Sequence, residues 1–359
     1  MDARGRIACT LGIVAAHAAT APVLADAFSA YAPAGSFNVP AGTSSYDVLV
    51  DGRIVAMVDA NVYVESAVGS GSFTPLGALP GADIGSGSFS TAFVRVSPDG
   101  THIAVGNNSG AAFNNPQVGV FDLSGLTGNW FNVEHFDAEW FDNTSIVLTA
   151  PGVVTSLDTT SDPANPVTSL LINNVGGAPA GITFDANGNL YTGNGFDGPG
   201  PSDTGWIKAF PPSAWQGTTG RGLGVADFEA SGTLVADVLS AGFLGFDGQG
   251  NLHVGGGDLF GGSGDNNYGG LVRQTALATA LSGGGLADSL DPEQLRRFDP
   301  DPGPASRYDV NYNPVTGALL MRSGSTIFAF AVPEPVTLVY MFVGLWGLGV
   351  GGRRRSVRG

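Results

Sequence analysis

Apolar and polar positions along this chain fall into short runs, separated by small turn-forming residues. The recurring unit is an apolar strand, a turn of two or three Asp, Asn or Gly residues, a second apolar strand, a loop and a third strand. Six copies can be superposed. The first joins Tyr46–Val50 to Arg53–Met57 across Asp51-Gly52 and adds Asn61–Val64. The second joins Val94–Pro98 to Thr101–Val105 across Asp99-Gly100 and adds Val118–Asp122. The third joins Ala138–Phe141 to Ser145–Leu148 across Asp142-Asn143 and adds Val153–Asp158. The fourth joins Gly181–Asp185 to Asn189–Gly193 across Asn187-Gly188 and adds Trp206–Phe210. The fifth joins Leu244–Asp247 to Asn251–Gly255 across Gln249-Gly250 and adds Gly270–Arg273. The sixth joins Val310–Asn313 to Ala318–Met321 across Thr316-Gly317 and adds Thr326–Phe330.

The turn dipeptides supply the positive φ angles of tight hairpins, and β-branched and aromatic residues flank them. Successive turns lie about 45 residues apart at first and about 60 to 70 later, against the roughly 40 to 50 residues of a four-stranded propeller blade. One such sheet cannot bury both faces alone. A ring of them can, and it leaves no long open edge. The expected fold is therefore all-β, a β-propeller with six blades ahead of seven. A β-sandwich would not repeat one hairpin signature six times, and a β-solenoid would have shorter, more regular coils. No 12-residue window between residues 28 and 270 has helical periodicity. A helical turn is expected only over Thr275–Leu281, ended by the glycine run Gly283–Gly285. Ring closure is expected from Ser36–Val39 lying beside the last strand, Ser325–Val332.

Three copies carry resemblances. Phe184-Asp185 with Gly188-Asn189-Leu190, and Phe246-Asp247 with Gly250-Asn251-Leu252, resemble blades of NHL-type and lactonase-like propellers. Val96-Ser97-Pro98-Asp99-Gly100 resembles TolB-type and WD-repeat-like blades. These motifs imply a fold and no activity.

The two ends have a different character. Arg4 and Arg6 precede an apolar, Ala-rich run from Ile7 to Leu24, and Ala25-Asp26-Ala27 offers a small-residue cleavage site. That order is the layout of a secretory signal peptide, assigned to residues 1–27. Cys9, the sole cysteine, is not preceded by an apolar stretch and leaves with it. An exported domain with neither thiol nor disulfide must rely on a large core. At the other end, Val336 to Gly352 carries no charge and is followed by Arg353, Arg354, Arg355 and Arg358. The run is long enough to cross hydrocarbon, and the basic cluster marks its cytoplasmic side.

Pro333-Glu334-Pro335, the apolar helix 336–352 and the basic tail 353–359 together resemble the PEP-CTERM sorting signal. The resemblance covers residues 333–359 only. It implies recognition by an exosortase, a membrane-embedded processing protease, at Pro333, Glu334 and Pro335. It further implies delivery from the envelope membrane to the cell surface or extracellular matrix. It says nothing of the ectodomain, residues 28–332.

Without Arg4, Arg6 and the four terminal arginines, and without Asp2, Asp26 and Glu334, the ectodomain carries a net charge of −19. Nucleic acid is excluded as a partner, since phosphate is repelled. Chemistry is sparse. His102, His135 and His253 have no metal-binding spacing, no G-x-S-x-G elbow occurs, and Lys208, the only lysine, lies in a strand rather than a phosphate loop. Asp247, Asp258 and Asp265 lie in a Gly-rich stretch and are the candidate Ca²⁺ ligands, although no EF-hand pattern fits and turns need the same residues. No other cofactor is implied. Asp299-Pro300-Asp301-Pro302 reads as a rigid acidic loop. Trp130, Trp140, Trp206 and Trp215 read as blade packing rather than a sugar platform. Two functions remain. The favoured one is a non-enzymatic surface or matrix protein binding extracellular polysaccharide, protein or Ca²⁺. The alternative is a secreted lactonase-like hydrolase, which needs side chains converging on the central channel.

Overall fold

The computed structural model describes residues 31–81, 91–107, 117–176, 179–194, 205–216, 225–238, 241–255, 269–283 and 309–332. The signal-peptide and sorting-signal segments, Asp258, Asp265 and the acidic loop at 299–302 lie outside them.

The chain opens with β1 (Ala32–Asn38) and then lays down six antiparallel sheets in sequence. The first sheet holds β2 (Thr43–Val48), β3 (Ile54–Val58), β4 (Asn61–Glu65) and β5 (Phe73–Ala78). The second holds β6 (Thr91–Val96), β7 (His102–Asn107), β8 (Gln117–Asp122) and β9 (Gly128–Asn132). The third holds β10 (Asp137–Asp142), β11 (Ser145–Ala150), β12 (Val153–Asp158) and β13 (Thr168–Asn173). The fourth holds β14 (Pro179–Phe184), β15 (Leu190–Asn194), β16 (Gly205–Phe210) and β18 (Thr233–Val238). Between those last two strands, the short β17 (Ala226–Asp227) pairs in parallel with β13 of the third sheet. The fifth sheet has β19 (Phe243–Phe246), β20 (Leu252–Gly255) and β21 (Gly269–Val272), followed by helix α3 (Gln274–Leu281). Two single-turn helices, α1 (Pro212–Trp215) and α2 (Phe228–Ser231), precede it in the chain. The sixth sheet holds β22 (Asp309–Asn313), β23 (Ala318–Ser323) and β24 (Thr326–Ala331).

The first strand of each sheet packs against the first strand of the next, from β2 through β6, β10, β14, β19 and β22 back to β2. That closed circuit makes the molecule a six-bladed β-propeller. Closure is made by a strand ladder: β1, the first described strand, pairs antiparallel with β24 as the fourth strand of the last blade, with Ala32 opposite Ala331 and Asn38 opposite Thr326. The expected closing segment thus begins four residues earlier than read from sequence.

Six apolar clusters hold the ring, one between each pair of neighbouring blades. Leu49, Val55, Val94 and Phe121 fill the joint of blades 1 and 2, and Phe93, Phe131, Trp140 and Leu148 that of blades 2 and 3. Ile172, Ile182, Phe210 and Phe228 join blades 3 and 4, and Tyr191, Val235, Leu244 and Leu252 join blades 4 and 5. Leu271 with Val310 and Met321, then Tyr46 with Ile54 and Leu320, complete the circuit. Each fully buried aliphatic or aromatic side chain is worth about 1.5–3 kcal/mol, so many such residues replace the absent disulfides.

All six hairpins form, five of them with positive φ at Gly52, Gly100, Gly188, Gly250 and Gly317. The third differs: no positive-φ residue occurs at Asp142-Asn143, the strand bulges between Trp140 and Asp142, and Asp142 Oδ1 accepts from the Thr144 N–H in the turn. At Gly52 the fold also needs the missing side chain, because a Cβ there would lie 2.7 Å from Val315 of blade 6. The fourth strands β5, β9 and β13 were not legible in sequence. They are outer strands, exposed over much of their length, and lack a continuous apolar signal. Helix α3 matches the expected helical turn, one residue longer, and Gly283 follows it at φ +82.

Candidate functional site

Side chains alternate across a strand, so every second residue of each inner strand faces the axis. Superposing the blades gives one column of Ser45, Phe93, Asp137, Gly181, Phe243 and Asp309. Two residues later comes a second column of Asp47, Arg95, Glu139, Thr183, Gly245 and Asn311. Both columns are rich in polar and charged residues within otherwise apolar strands.

Arg95 plugs the channel. Its Nη2 donates to Asp137 Oδ1 at 2.6 Å, its Nε to Ala138 O at 2.9 Å and its Nη1 to Val94 O at 3.0 Å. Its guanidinium also lies 5.8 Å from the Phe243 ring of blade 5 and 4.0 Å from Asp309 Oδ1 of blade 6. One side chain therefore touches blades 3, 5 and 6 from blade 2. Asp309, wholly buried, accepts from Ser45 Oγ at 3.0 Å and lies 3.8 Å from Arg322 Nε. Arg322 in turn donates to the Thr43 and Ser44 carbonyls of blade 1. The inner strands are tied to one another by charge as well as by apolar packing.

Burial of these carboxyls raises their proton affinity. Burial pushes Asp47 and Asp137 up to about 6, with the Arg95 charge opposing. Glu139 is pushed up to about 8, first by burial and then by the nearby Asp47 and Asp137 charges, with Arg95 again opposing. At neutral pH Glu139 is thus mostly a neutral carboxylic acid.

Glu139 lines a cavity of about 380 Å³ at the channel end toward which the inner strands run. Arg95 forms its floor with Glu139, Thr183 and Asn311, and Phe184, Phe246 and Tyr312 supply aromatic surface. Gly245 explains the opening: it is the one member of its column without a side chain, and it lies in the cavity wall. The volume is within the usual range of ligand pockets, about 300–1,000 Å³.

The residues singled out from sequence fall elsewhere. Asp247 clips the fifth hairpin: its Oδ1 accepts from the backbone N–H of Gln249 and Asn251, and its Oδ2 from Asn251 Nδ2 and Tyr31 Oη, with His253 Nε2 at 3.1 Å. Burial raises its proton affinity, but the hydrogen bonds from His253, Tyr31 and Asn251 outweigh this and hold it well below the usual carboxylate range. Asp185 makes the same clip in blade 4, accepting from Asn187, Asn189 and Tyr191. The candidate Ca²⁺ partners of Asp247, Asp258 and Asp265, lie outside the described residues. Among the described residues no group of three or more His, Cys, Asp or Glu is arranged to hold a metal.

The histidines are dispersed. His102 meets Thr101 Oγ1 at 2.7 Å on the surface, while His135 is buried against Phe93 and pushed down to about 4 by that burial. Trp130 Nε1 donates to Pro80 O, Trp140 Nε1 to Arg95 O, and Trp215 is buried against Phe184, as packing residues. Lys208 Nζ is committed to the Phe228 carbonyl and to Glu229.

The sequence matches no protein-family model and no curated protein. Solved structures are similar in shape. The PQQ-bound aldose sugar dehydrogenase of Streptomyces coelicolor superposes with a TM-score of 0.51 at 13% identity, covering 84% of this chain and 97% of that one. Virginiamycin B lyase of Staphylococcus aureus gives 0.48 at 12% identity, over 83% of this chain and 98% of that one. A chain of the mitotic checkpoint complex gives 0.49 at 13% identity, over 84% and 92%. At such identity the dehydrogenase likeness establishes fold alone, and function must be argued from the site.

Proposed function

We propose that this is an exported propeller protein of the cell surface or extracellular matrix that binds a ligand at the mouth of its central channel. The observation that carries the reading is the convergence of Glu139, Thr183 and Asn311, from blades 3, 4 and 6, on one cavity opened by Gly245. No metal or reactive nucleophile is needed for such binding. The proposed route is export by the signal peptide at 1–27, tethering by the apolar helix 336–352 with Arg353, Arg354, Arg355 and Arg358 inside, and exosortase processing at Pro333-Glu334-Pro335. The β1–β24 pairing supports that route, because both ends of the propeller leave the same blade side by side. Extracellular polysaccharide or protein is the partner class, with Ca²⁺ a candidate ligand in the loop of Asp247, Asp258 and Asp265.

One observation favours a second reading, a secreted hydrolase. A carboxyl pushed up to about 8 at a pocket is suited to general-acid work. The experiment is a ligand and metal survey of the exported protein, with each hit followed for turnover. Binding without product, lost on blocking the channel mouth, is the expected result. Turnover abolished by Glu139→Gln establishes the hydrolase instead.

A further inference from the structure

The channel mouth has a chemical bias that goes beyond being a pocket. Its one fixed cation is already committed. Three N–H groups of Arg95 are used by Asp137, Ala138 and Val94, and Asp309 stands 4.0 Å away on the other side. The carboxyls of Asp47, Asp137, Glu139 and Asp309 around Arg95 outnumber its one positive charge, which disfavours a carboxylate or phosphate at the mouth. The other mouth residues offer uncharged hydrogen bonds. Thr183 contributes a hydroxyl. Asn311 Nδ2 is held by the Tyr46 carbonyl at 3.1 Å, leaving its Oδ1 as an acceptor. Glu139 accepts from the Trp140 N–H at 3.1 Å and, as the acid, keeps an O–H to donate.

Apolar surface completes the set. Phe184, Phe246 and Tyr312 come from three successive blades and are each half-buried at the cavity wall. Tyr312 is seated by Gly248, where any Cβ would overlap its phenol. Aromatic rings with a negative face take the weakly positive C–H surface of a ring compound, while the hydroxyls of that compound use the polar groups.

Resting on the reading of the mouth as a binding site, we infer that it takes one uncharged pyranose unit of a polysaccharide, and discriminates against uronic acids. Neutral hexoses satisfy Thr183, Asn311 and Glu139 without bringing a negative charge into the channel. Their uronic acids share the ring and differ in that charge.

The test uses the full chain, exported and purified in detergent. Glucose, galactose and mannose are compared with their uronic acids at mildly acidic pH, by saturation-transfer NMR and titration calorimetry. At least one neutral hexose is expected to bind saturably, with its uronic acid weaker by about tenfold or more, a difference of about 1.4 kcal/mol. Gly245→Leu fills the cavity and is expected to abolish binding. Thr183→Val is a near-isosteric control that keeps the fold should the leucine variant not, and it is expected to weaken binding about tenfold. Tighter binding of a uronic acid, lost in Thr183→Val, overturns the inference while leaving the mouth a binding site. Failure of every hexose to bind overturns it outright. Hexose binding unchanged in both variants overturns the inference and the channel-mouth reading together.

Discussion

Tyr31 Oη donates a 2.6 Å hydrogen bond to Asp247 Oδ2, joining residues 216 positions apart. Tyr31 immediately precedes β1, which completes blade 6, while Asp247 belongs to the hairpin of blade 5. The start of the propeller is therefore fastened to two blades, by a strand ladder to one and by a buried phenol to the other. Tyr31 also packs with Leu271, Val310 and Phe330, so it is a wedge as well as a donor.

Tyr31→Phe keeps the wedge and removes the donor to a carboxylate. The expected cost is about 1–3 kcal/mol of unfolding free energy, measured by urea denaturation. Tyr31→Ala should cost more, because it also leaves a cavity. Equal stabilities for the phenylalanine variant and the wild type would remove Tyr31–Asp247 as a latch.

Arg95→Met should destabilise the ring by about 3–5 kcal/mol, since Asp137 and its neighbours are left buried without their counter-charge. Arg95→Lys should rescue little, because three separate N–H groups of the guanidinium reach three different acceptors. Adding Asp137→Asn to Arg95→Met should restore part of the loss. Chemical denaturation of the four proteins reads the coupling, and strict additivity of the two changes would contradict it.

Stability should fall as pH rises above mildly acidic values. Asp47 and Asp137 at about 6 and Glu139 at about 8 bind protons more tightly folded than unfolded. Their contribution is complete below about pH 4, the unfolded carboxylate range, and is lost as pH climbs through 6 to 8. Asp247 acts oppositely: its affinity is depressed in the fold, so its contribution is lost as pH drops below that range. Melting temperatures across pH should therefore peak on the mildly acid side. Glu139→Gln should flatten the alkaline limb, and an unchanged limb in that variant would exclude Glu139 as its source.

The proposed processing has a direct readout. Pro333 and Pro335 carry no backbone N–H to donate to a strand ladder. On the exosortase proposal, replacing Pro333, Glu334 and Pro335 with Ala should make the unprocessed full-length form accumulate. The mature C-terminus is read by mass spectrometry. The same terminus in variant and wild type would overturn the proposed processing at this motif.

The ring follows from local pattern. Each hairpin is a local device, an apolar run on either side of a turn such as Asp51-Gly52 or Asn187-Gly188, and six repetitions of a sheet with two apolar faces leave little choice but to close. The turn clips are equally local, since Asp185 and Asp247 act on backbone two to four residues away. Packing of the blades set what meets on the axis. Arg95, Glu139, Thr183 and Asn311 are tens to hundreds of residues apart, and no local spacing relates them. Their signal was a polar column at one position of the superposed blades, and its meaning depends on which blades face each other across the channel. The pocket depends on the same geometry: Gly245 is an ordinary strand glycine in sequence and becomes an opening only when five side chains from other blades surround it. The outer strands were hidden for the complementary reason. They are half exposed, carry little apolar patterning, and owe their conformation to the ladder of the strand beside them.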